Sequence, residues 1–269
     1  MRTTLTTSDG VRIEALYQPC TRGRAGTAIV VAHGFTGSVD RPALRRAAQV
    51  FARYADVVTF SFRGHGRSGG RSTVGDREVL DLAAAVAWAR ARGHRRVVTV
   101  GFSMGGSVVL RHAATHGGPP EAEGRTPGAI EARTDAVVAV SAPARWYYRG
   151  TAPMRRVHWV ITRPLGRAVG RYGLRTRIHT REWDPVPLSP VEAVPLIAPT
   201  PLLIVHGDRD PYFPLDHPRT LAAAGPAELW LEAGMGHAEN AADGDLLARI
   251  ARWLTDPSAA PHGLGPDGP

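Results

Sequence analysis

The sequence predicts an α/β fold: a mostly parallel, doubly wound sheet with helices on both faces. Three observations carry this expectation. Apolar runs of strand length alternate with segments of helical spacing along most of the chain. The runs TAIVVAHG (27–34) and PLLIVHGD (201–208) are apolar almost throughout, as strands covered on both faces are. The stretch VVTVGFSMGGSVVLRHA (97–113) passes from strand to helix through a serine that has a glycine two residues away on either side.

Taken in order, LTTSDGVRIEALYQP reads as a hairpin around an Asp9-Gly10 turn. TAIVVAHG is the next strand. After Pro42, ALRRAAQVFARYA has helical spacing, and ADVVTFSF (55–62) returns to strand. DREVLDLAAAVAWARAR (76–92) is the next helix, with Val79, Leu82, Ala83 and Val86 on one face. Arg90, Arg92 and Gly93 supply its stop signals. RRVVTVGF is strand and MGGSVVLRHAATH helix. DAVVAVSAP (135–143), PLLIVHGD and AELWLEAG (227–234) are further strands, with LDHPRTLAAAG and GDLLARIARWL as the helices between and after them. Such alternation implies parallel strands joined by helical crossovers.

Three segments interrupt the rhythm. Residues 117–134 are rich in Gly, Pro and charge and are expected to form a mobile loop. Residues 257–269 have the composition of a disordered tail. Residues 142–195 lie between two sheet strands and read as an inserted cap. The core is then 1–141 plus 196–256.

Composition narrows the function classes. With 43% hydrophobic residues, the 269-residue chain can bury a full core. Its one cysteine, Cys20, excludes an internal disulfide and a Cys-based zinc cluster, which fits a reducing compartment. The polar opening MRTTLTTSDGVRIEAL lacks the apolar core of a secretory signal, and no run of about 18 apolar residues occurs. A cytoplasmic protein without a membrane span is therefore expected. All 33 basic residues are arginine, and the net charge is +9. Residues 142–195 hold ten arginines against Glu182, Asp184 and Glu192, so seven of those nine charges belong to the cap. A basic segment meets only the first criterion for nucleic-acid binding, and no nucleic-acid motif accompanies it.

The chemistry centres on GFSMG. Ten serines and 30 glycines give about 0.12 chance matches to G-x-S-x-G, so context decides. Here the pentapeptide ends an apolar strand and opens a helix, the setting of a nucleophile elbow. In so tight a turn the residues two before and two after the serine nearly touch, and Gly101 and Gly105 remove the Cβ atoms that would collide. Ser103 is then the candidate nucleophile. A serine hydroxyl needs a base, and the base needs an orienting acid. His237, in the glycine-rich loop EAGMGHAEN after the last strand, is the candidate base. The acid lies in LLIVHGDRDPYFP. Asp208 suits a turn role there, and Asp210, fixed by Pro211, is the candidate orienting acid. The order Ser103, Asp210, His237 is nucleophile, acid, base.

Together with HGFTGS (33–38) and SFRGHGRSGG (61–70), these motifs resemble the α/β-hydrolase superfamily over most of the chain outside the cap. The resemblance implies an oxyanion hole made by two backbone N–H groups, which map onto Phe35 and Met104. It also matches Asp210 to the family acid. His33 and Gly34 shape the first of those loops, and Arg63, His65 and Ser68 read as structural.

The implied activity is a serine hydrolase that cleaves a carboxylic ester through an acyl-enzyme, with no metal or organic cofactor. Two alternatives use the same fold: a thioesterase acting on acyl-CoA or acyl carrier protein substrates, and a non-catalytic anion-binding protein. A haloperoxidase-like or C–C hydrolase activity would fit the same triad. Within the cap, Arg163, Arg167, Arg171 and Arg175 recur every four residues and would form one basic stripe on a helix. Such a stripe is either a solvated face or a contact for an anionic ester or thioester. Trp146, Tyr147, Trp159, Arg163 and Arg167 are the candidate substrate contacts; these aromatics, with Tyr148, Tyr172 and Trp183, either line a pocket or, for most of them, form the packing face of the cap.

Overall fold

A computed structural model describes residues 1–23, 26–116 and 131–256. The expectations for 117–130 and for the tail 257–269 lie outside the described residues. One sheet contains eight strands: β1 (Arg2–Thr6), β2 (Arg12–Gln18), β3 (Thr27–Ala32), β4 (Asp56–Phe60), β5 (Arg96–Phe102), β6 (Val137–Val140), β7 (Leu202–Gly207) and β8 (Glu228–Glu232). Their spatial order is β1-β2-β4-β3-β5-β6-β7-β8. The β1–β2 hairpin is antiparallel and joins β4 antiparallel; every later pairing is parallel.

Strand alternation divides the core between the two faces. On β3, Ala28, Val30 and Ala32 face one layer, and Ile29 and Val31 face the other. The first layer holds α2 (Glu78–Ala91) and α3 (Met104–His116). The second holds α1 (Pro42–Phe51) and a C-terminal helix (Gly244–Thr255). Both faces of the central strands are covered, which is why those strands read as unbroken apolar runs.

Helix α2 departs from its sequence pattern in an instructive way. It begins at Glu78 rather than Asp76, and its buried face includes two acids beside Leu82, Ala85, Val86 and Ala89. The Glu78 carboxylate accepts hydrogen bonds from the Ser72 and Thr73 hydroxyls and from the amides of Thr73, Val74 and Gly75. Asp81 accepts from the Arg63 amide at 2.8 Å and from its Nε at 2.9 Å. The other edge of the same guanidinium donates to Asp9 at 2.7 and 3.0 Å and holds that carboxyl down at about 2. One buried arginine thus fastens the β1–β2 turn, the 61–70 segment and α2.

The segment between β6 and β7 contributes no strand to the sheet. Its helices are α4 (Ala152–Thr162), α5 (Pro164–Tyr172) and the short α6 (Pro190–Ala193). Thr151 caps α4 through its side chain, and Ser189 with Glu192 forms a capping box on α6. The expected stripe from 163 to 175 is broken. Arg163 sits in extended backbone at the junction of two helices, and Arg175 has φ +54° beyond the end of α5. Arg167 turns back and donates to the Ile161 and Thr162 carbonyls that end α4. Two helices follow before the C-terminal one: α7 (Asp216–Ala223) and α8 (Ala238–Ala241), making Gly244–Thr255 α9. Among the described residues no helix is long and apolar enough to cross a membrane.

Removing the guanidinium leaves the buried Asp81 without its cationic partner, holding the residue-63 amide alone. Arg63→Ala should cost about 3–5 kcal/mol and lower Tm by about 10 °C in thermal unfolding. A shift under about 2 °C would show that the clamp contributes little.

Candidate active site

The turn from β5 into α3 sets the site. Ser103 has φ +52°, a left-handed conformation that lifts its side chain clear of the sheet. A Cβ on Gly101 would lie 2.1 Å from the Gly105 carbonyl oxygen, the collision the sequence implies. Gly105 serves a different purpose. A Cβ there would lie 2.3 Å from Ala32 O and 2.6 Å from His33 O, so it lets the first turn of α3 press against the end of β3.

Three side chains from separate loops meet above this corner. His237 Nε2 lies 2.9 Å from Ser103 Oγ, and His237 Nδ1 lies 2.7 Å from Asp210 Oδ2. With Nδ1–H donating to the carboxylate, Nε2 is left to accept the serine proton. Asp210 is buried, and its Oδ1 accepts from the amides of Tyr212 and Phe213 at 2.8 and 3.1 Å. Burial pushes its carboxyl up, but the His237 hydrogen bond and nearby positive charge outweigh this and hold it below the usual range. The Tyr212 ring lies against the imidazole, tilted by 31° with centroids 4.2 Å apart. Asp208, the competing acid, instead accepts from the Gly234 amide at 2.6 Å and secures the loop beyond β8.

The end of β6 registers two of these groups. Val140 O accepts from the Ser103 amide at 2.8 Å, and Ser141 Oγ accepts from the Ala238 amide at 3.0 Å. Ser103 and the residue after His237 are therefore held by Val140, the last residue of β6, and by Ser141 just beyond it.

Phe35 and Met104 flank Ser103 in the wall of a cavity of about 850 Å³. Among the described residues neither backbone amide donates to a protein acceptor. The loop carrying Phe35 is held by two groups. His33 Nδ1–H donates to Gly34 O at 2.7 Å, while its Nε2 accepts from the Phe62 amide at 3.0 Å. Glu239, 7% exposed, accepts from the Gly34 amide at 3.1 Å, and its own carbonyl is held by Arg46. Glu239 was not signalled by the sequence, because its partner lies 205 positions away.

The cavity runs from Ser103 beneath the cap. Trp146, Tyr147, Tyr148, Trp183 and Arg167 line it. Trp159 and Arg163 do not: Trp159 is 42% exposed on the outside of α4, and Arg163 is exposed at the α4–α5 junction. Tyr172, 78% exposed, also lies outside it. His65 is buried with Nδ1 on Arg63 O, and Ser68 Oγ donates to Ser61 O, both away from Ser103. Among the described residues no group of three or more His, Cys, Asp or Glu side chains is placed to hold a metal ion.

A sequence profile of the alpha/beta hydrolase family matches residues 29–250. The chain belongs to this family. It is 28% identical over 180 residues to the esterase LipC of Mycobacterium tuberculosis, a match covering 62% of this chain and 42% of that protein. Among solved structures it is similar to the esterase Pf2001 of Pyrococcus furiosus, with TM-score 0.67, 22% identity and coverage of 94% and 91% of the two chains. The alpha/beta hydrolase GrgF of Penicillium sp. gives TM-score 0.69 at 19% identity, covering 94% and 97%. These structural likenesses are of fold.

Burial holds His33 of this alpha/beta hydrolase neutral, its pKa lowered to about 3. Its unfolded counterpart takes up a proton near 6.5, so below that pH the unfolded state binds more protons and stability falls with pH. From pH 6.5 to pH 4, His33 alone should remove about 3 kcal/mol. Chemical-denaturation midpoints across that range test this, and a flat profile would contradict it.

Proposed function

We propose that the protein is a serine hydrolase that cleaves carboxylic esters through an acyl-enzyme. The observation that supports this reading best is the continuous relay of short contacts from Ser103 Oγ through His237 to a saturated, buried Asp210.

In this mechanism Ser103 attacks the ester carbonyl as its hydroxyl proton passes to His237 Nε2. The carbonyl oxygen gains the charge and is received by the amides of Phe35 and Met104. Met104 also opens α3, where the helix dipole favours an anion. The tetrahedral adduct collapses, the C–O bond to the alcohol breaks, and His237 returns the proton to that oxygen. Water then gives a proton to His237 and attacks the acyl-enzyme, and collapse releases the acid and regenerates Ser103. Asp210 orients the imidazole and stabilises its charged form without taking the proton.

Turnover of p-nitrophenyl esters of short and medium acids tests this. Ser103→Ala should lower kcat by at least about 10⁴-fold, and Asp210→Asn by about 10³–10⁴-fold. Activity surviving in Ser103→Ala would sink the mechanism. Glu239 bears on it as a positioning residue. Glu239→Ala frees the Gly34 amide and should lower kcat about tenfold with little change in KM, since the donor it steadies acts on the transition state. Glu239→Gln keeps an acceptor oxygen and should recover most of that loss. An equal effect of both variants on Tm alone would reduce Glu239 to a structural role.

A further inference from the structure

Of the four arginines in the sequence repeat, Arg167 alone reaches the cavity. Arg163, Arg171 and Arg175 lie outside it, whereas Arg145, Arg149, Arg156, Arg167 and Arg181 line it. Two of these five are already engaged: Arg145 by Asp216, and Arg167 by the carbonyls at the end of α4. Arg149, Arg156 and Arg181 have no carboxylate within 4.0 Å among the described residues. Arg149 donates through Nε to His158 Nδ1 at 3.3 Å, a neutral acceptor. Burial first, and then the Arg149 charge, lower the His158 pKa, so this neighbour adds no compensating anion.

Among the described residues two carboxylates lie in the cavity wall. Glu239 is tied to the Gly34 amide at the Ser103 end, and Glu182 is exposed beside Tyr147. The indoles of Trp146 and Trp183 meet edge to face at 5.1 Å, and each N–H is spent on a backbone carbonyl of Pro187 or Thr73. This wall therefore offers a substrate apolar surface and no donor. A low-dielectric wall beside uncompensated cations concentrates field on whatever enters.

We infer that the preferred substrate is an ester bearing a second, unreactive anionic group, a carboxylate or a phosphate, which Arg149, Arg156 and Arg181 hold while the ester carbonyl lies at Ser103. The inference rests on the ester-hydrolase reading and adds to it the charge of the substrate. Guanidinium groups suit both anions through paired N–H donors.

The test compares kcat/KM for matched esters. Neutral p-nitrophenyl alkanoates of four to eight carbons are set against chains of equal length ending in carboxylate or phosphate. Umbelliferyl butyrate is set against its carboxyl-substituted counterpart, so that the charge also sits on the alcohol side. At least one anionic ester should exceed its neutral partner about tenfold at about 20 mM salt, the advantage shrinking toward unity at about 500 mM. Carboxylate and phosphate arms tell the two anions apart. Arg156→Gln/Arg181→Gln should cut the anionic-to-neutral ratio at least about fivefold, and that ratio is insensitive to a general loss of folded enzyme. Turnover of neutral esters with no anionic preference in any pair overturns this inference and leaves the hydrolase reading standing. No turnover of any ester, with no labelling of Ser103 by a fluorophosphonate, overturns both.

Discussion

The site depends on how closely α3 approaches the end of β3. Gly105 has no Cβ, and the space such an atom would need is taken by the carbonyl oxygens of Ala32 and His33. That approach brings the amide of Met104, at the start of α3, into the same cavity wall as Phe35, in the loop that continues β3. It also places Ser103 where a histidine from the far side of the sheet can reach it. Any side chain at 105 would force helix and strand apart, and the two amides would no longer share one wall.

From that corner the remaining supports follow as hydrogen bonds between chain segments distant in sequence. β6 supplies an acceptor for the Ser103 amide and, one residue later, another for Ala238. β7 ends in Gly207, whose Cα lies against the Met235 carbonyl with no room for a Cβ, so the acid and histidine loops are pressed together. Glu239 closes the circuit by binding Gly34. Backbone groups hold the Ser103 amide and the Asp210 carboxylate, while the His237 ring is held by the Asp210 side chain and the Ala238 amide beside it by Ser141 Oγ. His33 is held by backbone as well: both ring nitrogens are engaged with it, which a protonated imidazole could not satisfy.

What was legible in the sequence had a local cause. Buried parallel strands announce themselves by unbroken apolar runs, and the elbow by glycines at fixed spacing around Ser103. Turn chemistry and the family resemblance both favoured Asp210 over Asp208, and it is Asp210 that lies against His237 while Asp208 binds the Gly234 amide. Residues whose role is set by a distant partner left no such mark. Glu78 and Asp81 look like solvent-facing helix residues until the 72–75 loop and Arg63 are seen against them. Glu239 is an unremarkable acid until Gly34 meets it. The cap was read least well, because a four-residue repeat means one face only if the helix is continuous. Pro164 starts a new helix within the repeat, and Gly173 follows its last residue, so the arginines disperse.

That dispersal bears on how core and cap share the work. On the core side of the cavity nearly every polar group named above has its partner, so the reacting geometry is fixed before a substrate arrives. The wall supplied by the segment between β6 and β7 is built the other way, with indoles whose N–H groups are spent on backbone and with three guanidinium groups, of Arg149, Arg156 and Arg181, that have no carboxylate within 4.0 Å among the described residues. The charge that the core excludes from its own wall, apart from Glu239, is concentrated on the opposite one. In the proposed hydrolysis, a substrate spanning the cavity would meet the Phe35 and Met104 amides at its carbonyl and a positive field further out. On that proposal, chemistry falls to the loops around Ser103 and selection to the segment between β6 and β7.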